Sequence, residues 1–312
     1  MATPAIVATG AARPISRRRE GFWWDALDGI RHDPTTLAAI GILAVLIMLA
    51  LGADVLADNV FHTGYTNQDL LRTWDPPTLE APRYWLGADN LGRSQIVRLL
   101  YGARVSLFIG TLGAFVSLAV GMSLGVSAGY FRGWWDDIVV WLVTTIANIP
   151  ILFLLILVGL YFRLDPLSLS ILIGMLGWLG IANFARGQTL ALRDREFIQA
   201  ARTVGASSMR IMLRHVLPNI LPLMIVLAMV DIGGIILAES ALSYLGFGIQ
   251  PPVPSWGNML SGSAQYYFRG PHLIIAPGIA ITVTVLCLYL IGDGLRDALD
   301  PRLRGTTGGR RG

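Results

Sequence analysis

Residues 193–219 read RDREFIQAARTVGASSMRIMLRHVLPN and lie between two long apolar runs. The first part of this polar stretch predicts a short helix from Glu196 to Val204, because its two central alanines strongly favour helix. Gly205 should end that helix, and Ser207 is placed to cap a second helix that enters the next apolar run. The pattern therefore predicts a helix–glycine–helix elbow at a membrane surface, which is a shape that another protein can grip.

The composition is that of a polytopic membrane protein. Hydrophobic residues make up 54% of the 312 residues and charged residues 14%, with a mean hydropathy of +0.59, whereas soluble proteins have about 25% charged residues. All basic charge comes from arginine, since the chain contains no lysine. A phosphate-binding P-loop is thereby excluded, because that motif needs its lysine at the phosphates. The arginines flank apolar segments and form no single polar face, so nucleic acid is not an expected partner.

Six apolar runs are long enough, at about 20 residues each, to cross a bilayer. They predict an all-α fold with spans at roughly 35–53, 105–131, 138–162, 166–185, 216–238 and 273–292. The connecting segments are tails at 1–34 and 293–312, external loops at 54–104 and 239–272, and a cytoplasmic loop at 186–215. Of the 24 arginines, 17 fall on the side of the two tails, and this bias predicts that both termini are cytoplasmic.

The polar stretch resembles the EAA signature of the permease subunits of ABC importers. The resemblance is carried by Gln199-Ala200-Ala201, by Gly205 four residues later, and by Leu217-Pro218. The string from 214 to 219 is closest to the C-type subunits of dipeptide, oligopeptide and nickel importers, and further similarities lie at 85–104, 239–257 and 292–302. The family's glutamate is a glutamine here, so an ion pair made by that glutamate is not carried over.

This resemblance implies a binding-protein-dependent ABC permease fold with six transmembrane helices and a cytoplasmic coupling helix, placed in the cytoplasmic (inner) membrane. The implied partners are a homologous second permease, two cytoplasmic P-loop ATPase subunits, an extracytoplasmic substrate-binding protein and membrane lipid. The chain itself is expected to be no enzyme and to hold no cofactor, since ATP and Mg²⁺ belong to the ATPases. Peptides are the implied substrate, with nickel chelates or another small solute as the alternative. The implied ATPase-coupling residues are Glu196, Gln199, Ala200, Ala201, Gly205 and Ser207.

Asp231 is the best candidate for a residue of the translocation path. A carboxylate inside a span is costly and usually faces a bundle interior or a water-filled path, although an ion pair with a partner subunit or a helix-end position would also explain it. An ion-coupled secondary transporter that uses Asp231 is the rival class, which the lone intramembrane acid disfavours. Asn148 and Pro150 interrupt the third span and are further path candidates, and Pro277 predicts a similar break in the sixth. The four histidines are isolated, so no metal site is predicted.

The second span carries a small residue at every fourth position, namely Gly113, Ser117, Gly121, Gly125 and Gly129. Such a stripe lets helices approach closely in lipid, where no hydrophobic drive brings them together, so it predicts helix packing. Just before this span, four apolar residues at 91, 96, 99 and 100 share a face opposite Arg93, Gln95 and Arg98. That arrangement predicts an interfacial helix on the outer surface.

Overall fold

The computed structural model describes residues 29–299. Most of the predicted N-terminal tail (1–34) and the last part of the C-terminal tail (293–312) therefore lie outside the described residues. Within them, nine helices of eight residues or more form the protein, and no strand is present beyond an isolated bridge between Ala88 and Ser94. The nine helices are α1 (Pro34–Leu51), α2 (Gln95–Phe131), α3 (Trp134–Ala147), α4 (Ile151–Tyr161), α5 (Pro166–Gly177), α6 (Leu179–Arg193), α7 (Glu196–Thr203), α8 (Ser208–Tyr244) and α9 (His272–Leu299).

Four of these helices, α1, α2, α8 and α9, are each long and apolar enough to cross a membrane. Two bent pairs supply two more spans if each pair crosses once: α3 and α4 meet at 75°, and α5 and α6 meet at 45°. The predicted all-α fold with six spans is confirmed in this form. Short helical turns fill the connections, at Ala53–Leu56, Ala57–Phe61, Leu70–Arg72, Pro82–Tyr84, Trp256–Met259 and Ser263–Tyr266.

Several helices extend further than the apolar runs that predicted them. Helix α2 begins ten residues before the second predicted span, α6 continues to Arg193, and α8 runs from Ser208 to Tyr244. The predicted loops at 54–104, 186–215 and 239–272 are correspondingly shorter. Some polar residues near the helix ends, such as Gln95 and Glu239, find partners within the bundle, which hydropathy alone does not reveal.

The prolines act differently in the two spans where breaks were predicted. Asn148–Pro150 separates α3 from α4, as expected. Pro277, in contrast, lies inside the continuous helix α9, so the predicted break there is wrong. A proline leaves the carbonyl four residues earlier without its helical donor, which here is the carbonyl of Leu273. The side-chain amide of Gln95 donates to that oxygen at 3.4 Å, so the helix continues.

The glycine stripe of α2 packs against α5 and α6, as predicted. A Cβ added at Gly121 would lie 2.8 Å from the Ile181 side chain, and one at Gly129 would lie 2.7 Å from the carbonyl oxygen of Arg186. One added at Gly125 would overlap the Ala182 carbonyl. These backbones approach so closely that only glycine fits, and the contact fixes α6 against the second span.

The prediction of an interfacial helix ahead of the second span is wrong, because the polar side of this segment does not face water. Residues 95–104 form the first turns of α2, and the polar residues Arg93, Gln95 and Arg98 are buried instead of facing water. The Asp89 carboxylate accepts a hydrogen bond from Arg93 Nε at 2.7 Å and lies 3.4 Å from Arg98 Nε. Pairing with this carboxylate makes burial of the arginines tolerable, and the local apolar pattern gives no sign of it.

The bundle has two ends. The α7 end contains the C-terminal ends of α2, α6 and α9 together with the start of α8, and the opposite end contains the start of α2, the start of α9 and the turn at Trp256–Met259. At the start of α1, the Asp33 carboxylate caps the helix by accepting hydrogen bonds from Thr35 and Thr36. The hydroxyl of Thr36, followed by that of Thr35, lowers the pKa of Asp33 to about 2.

Candidate coupling and translocation sites

Helix α7 is fixed to the bundle by one side. Ile198 is completely buried, in a cluster that includes Val126 of α2, Ile181 of α6 and Val216 of α8, and Ala201 packs against the same cluster. Burying an isoleucine side chain is worth about 1.5–3 kcal/mol. Helix α7 is therefore packed against three spans, and we expect it to move together with them.

Gly205 terminates α7 as the sequence predicts. Its φ is +81°, its N–H donates to the carbonyl of Arg202 at 2.9 Å, and the N–H of Ala206 donates to the carbonyl of Ala201 at 3.0 Å. This pair of bonds is the Schellman motif, in which a left-handed glycine satisfies the last carbonyls of a helix. Ser207 then caps α8 by accepting a hydrogen bond from the N–H of Arg210 at 3.4 Å. We refer to residues 195–214 as the elbow.

Polar contacts hold the elbow in place at its edges. Gln199 donates from Nε2 to the carbonyl of Asp194 at 3.2 Å, a bond that an ionised glutamate at this position could not donate. The Asp194 carboxylate in turn accepts from Arg132 at 3.2 Å. The guanidinium of Arg202 lies 5.2 Å from the ring centroid of the buried Tyr130, a favourable cation–π distance. The glutamine side chain is therefore hydrogen-bonded to the segment that precedes α7.

The outer side of the elbow is exposed and unusually apolar for a polar loop. Phe197, Val204, Met209 and Leu213 are 45%, 84%, 61% and 58% exposed. Glu196, Ala200 and Ser207 are exposed with them, as are four arginines, at 195, 202, 210 and 214. Apolar side chains that cluster at an exposed surface mark an interaction site. The six predicted coupling residues thus lie together on one elbow, with Ala201 turned towards the bundle.

Asp231 lies at the middle of α8, on a concave surface between α6, α8 and α9 that we call the hollow. The part next to Asp231 has a volume of about 350 Å³ and adjoins a second part of about 620 Å³ that extends towards the α7 end. Both parts are lined by Phe184, Leu227, Val230 and Tyr289. A half-buried carboxylate at the side of an open hollow is the arrangement expected of a path residue.

The other two path candidates are placed differently. Pro150 lines a cavity of about 370 Å³ that shares Gly177 with the hollow, so the bend between α3 and α4 lies near the bend between α5 and α6. Asn148 is exposed, and its side-chain amide donates to the carbonyl of Thr144 at 2.6 Å. The structure therefore brings Pro150 close to the hollow, while the Asn148 side chain serves the end of its own helix.

Glu239 is a buried carboxylate whose environment the sequence did not predict. The apolar pattern places it at the start of an external loop, but α8 continues past it and its side chain is completely buried. Its oxygens accept hydrogen bonds from Ser106 at 3.2 Å and from Ser243 at 2.7 Å. Ser106 also accepts from the N–H of Trp256 at 3.2 Å, so Glu239 fastens the loop after α8 onto the opposite end of the bundle.

Residues 121–305 match the family model described as "Binding-protein-dependent transport system inner membrane component". This match covers more than half of the chain and includes the hollow and the elbow. The chain therefore belongs to this family of membrane permease subunits, and it is a multi-pass membrane protein. The resemblance inferred from the EAA-like stretch is confirmed.

Relatives match over nearly the whole chain. The oligopeptide transport system permease protein OppC of Haemophilus influenzae is 37% identical over 283 residues, covering 91% of this chain and 89% of that protein. OppC of Bacillus subtilis is 32% identical over 304 residues, 97% of each chain. The glutathione transport system permease protein GsiD of Escherichia coli O6:K15:H31 is 35% identical over 285 residues, 91% of each chain.

A solved structure has the same fold in outline. A chain of the MetNI methionine ABC transporter, in inward-facing conformations, superimposes with a TM-score of 0.51. The match covers 66% of the present chain and 97% of the MetNI chain, at 19% sequence identity. At this identity the similarity concerns the fold alone.

Proposed function

We propose that this chain is the transmembrane subunit of an ATP-driven importer that moves peptides across the cytoplasmic membrane. The relatives described above are permeases for oligopeptides and for glutathione, which favours peptides over the nickel chelates considered from the sequence. Membership of a binding-protein-dependent family also favours an importer over an ion-coupled secondary transporter. In this proposal the chain is not an enzyme, and ATP and Mg²⁺ are bound by partner subunits.

The elbow is the observation on which the proposal chiefly depends. Its inner side is fixed by Ile198, while its outer side presents exposed apolar residues such as Val204 and Met209 among arginines. This surface fits a cleft that is apolar at its centre and acidic at its rim, on a cytoplasmic ATPase subunit. One ATPase docks on this elbow, and a second docks on the equivalent elbow of a homologous permease.

Movement of the ATPase would reach the path through rigid contacts. Helix α7 shares a buried cluster with the ends of α2, α6 and α8, and α6 and α8 also line the hollow. Closely packed helices shift as units rather than deforming continuously. A displacement of α7 therefore tilts the two helices beside Asp231 and changes the access to the hollow from the two sides of the membrane.

The second permease completes the path by covering the open side of the hollow. The opposite end of the bundle, where Glu239 fastens the loop around Trp256, receives the substrate-binding protein. The elbow and both termini are cytoplasmic in this proposal. The excess of arginine in the tails and the elbow-containing loop supports that orientation.

Purification of the tagged full-length chain from its native membranes, followed by mass spectrometry, tests the proposal. We expect a second permease and two P-loop ATPase subunits in the purified complex, and ATP hydrolysis that rises when peptide-loaded binding protein is added. Matched purification with Gly205→Pro should lose the ATPases and retain the second permease. Recovery of the wild-type chain without any ATPase, after mild extraction, would refute the importer assignment.

A further inference from the structure

The Asp231 carboxylate lacks a partner for its buried oxygen. Among the described residues, Oδ2 accepts no hydrogen bond of good geometry, and the hydroxyl of Ser117, which lies beside the carboxylate, is the one side-chain donor close to it. Ser117 belongs to the glycine stripe of α2 and is completely buried. An unpaired carboxylate in a poorly hydrated place is costly, so this position calls for a cationic or hydrogen-bond-donating guest.

The lining of the hollow indicates the chemistry of that guest. The other described residues that line the part next to Asp231 are glycine, aliphatic or aromatic, whereas Gln188, Asp293 and Arg296 line the second part, towards the α7 end. Phe184 and Tyr289 line the same part of the hollow as the carboxylate. A carboxylate combined with aromatic rings is the arrangement that binds organic ammonium groups. A divalent metal ion, in contrast, requires several oxygen ligands, and the hollow offers one carboxylate at this depth.

Glycines keep the space beside Asp231 open. Gly180 and Gly234 line the hollow, and a Cβ added at either position would meet no atom within 4 Å. Gly234 follows Asp231 by three residues, so both positions lie on the same face of α8. Within its own chain the carboxylate therefore adjoins a volume of about 350 Å³ rather than packed side chains.

We infer that the hollow around Asp231 is a binding station for an organic ammonium group, such as the amino terminus of a peptide, on the translocation path. This inference rests on the proposed function, because it assumes that substrate passes along the hollow. The carboxylate compensates the charge of the ammonium group, the rings of Phe184 and Tyr289 contact its aliphatic surroundings, and the missing side chains at Gly180 and Gly234 provide room for the rest of the substrate.

Charged thiol reagents test this inference without depending on the binding protein. The chain has one cysteine, Cys287, which is buried, and Cys287→Ser gives a background for Gly234→Cys. In the assembled complex we expect the rate of a trimethylammonium-bearing methanethiosulfonate, divided by that of its sulfonate-bearing counterpart, to be at least about tenfold higher than at a cysteine far from Asp231, because a unit charge within a few ångströms acts oppositely on the two reagents. This ratio should fall to that of the distant cysteine when Asp231→Asn is added.

Glu80→Cys is the matched control, since Glu80 is exposed in the connection before α2 and does not line the hollow. It should show no preference that depends on Asp231. A rate ratio at Gly234→Cys no higher than that at Glu80→Cys would overturn the inference. A complete lack of reaction would also overturn it, because it would mean that lipid or a partner fills the hollow. Dissociation of the Asp231→Asn complex would overturn it too, by showing an ion pair between subunits.

Uptake of radiolabelled trialanine into proteoliposomes completes the test. We expect Asp231→Glu, which keeps the charge, to stay within about threefold of wild type and Asp231→Asn to lose about tenfold, as for the loss of one charged hydrogen bond. Unchanged uptake with Asp231→Asn would overturn the inference while leaving the importer intact. Failure of the wild-type complex to take up any peptide would instead refute the proposed function.

Discussion

Replacement of Gly205 offers the most direct test of the elbow. The residue has a φ of +81°, and a Cβ at this position would meet no atom within 4 Å, so alanine adds conformational strain without a clash. A left-handed conformation costs an L-residue about 1–2 kcal/mol, which lowers the ratio of native to non-native elbow by a factor of about 5 to 30. Proline cannot reach this φ at all, and it removes the N–H that bonds the Arg202 carbonyl at 2.9 Å.

The assay measures peptide uptake and peptide-stimulated ATP hydrolysis in the reconstituted complex. We expect Gly205→Ala to reduce both partially and Gly205→Pro to abolish uptake, with insertion of the chain into the membrane unchanged. Gly187→Ala is the matched control, because Gly187 lies inside α6 with open space around it and alanine favours a helix by about 1 kcal/mol. Normal uptake by Gly205→Pro would refute the reasoning, as would a defect in Gly187→Ala as large as that in Gly205→Ala.

Three further predictions follow from the packing and the orientation. Ile198→Ala should destabilise the packing of α7 by about 2–5 kcal/mol. In vesicles, we expect this variant to hydrolyse ATP without taking up peptide. Uptake that stays tightly coupled to hydrolysis would contradict the role proposed for Ile198. Gly125→Ala should overlap the backbone of α6 and destabilise the solubilised chain by about 1–3 kcal/mol. Its unfolding temperature should therefore fall, whereas that of Gly41→Ala should not. Equal unfolding temperatures of the two variants would contradict the packing role of the glycine stripe. On a Cys287→Ser background, an impermeant maleimide added to intact cells should label Glu80→Cys and should label Val204→Cys only after permeabilisation, and the reverse pattern would invert the proposed topology.

The sequence was most informative where the signal is local. The elbow could be predicted because helix ends depend on the residues at the ends: two alanines favour α7, Gly205 terminates it in a left-handed conformation, and Ser207 caps the next helix. The stripe of small residues on α2 likewise predicted its own contact, since close packing in a membrane requires small side chains at helical spacing. The hydropathy pattern likewise predicted the spans, because a span is a contiguous run of apolar residues.

Hydropathy was less informative where a polar side chain finds a distant partner. Arg98 looked solvent-facing and is buried, because Asp89 lies 3.4 Å away across a turn. Glu239 looked like the start of a loop and is buried, because Ser106 reaches it from α2. Pro277 looked like a helix break and is not one, because Gln95 supplies the missing donor. In each case the deciding contact comes from a residue outside the local pattern.

The sequence by itself determined that the chain is a membrane-spanning helical protein, where its elbow lies and which permease family it resembles, because apolar length, helix-end chemistry and short motifs are properties of contiguous residues. The structure alone decided how α5 and α6 bend at 45°, which polar groups are buried in pairs, and that Asp231 borders an open hollow rather than a packed core. Those features depend on helices α2, α6, α8 and α9 meeting from distant parts of the chain. Whether a carboxylate destabilises the bundle or can bind a cation depends on the residues around it. Those residues come together only when the chain folds.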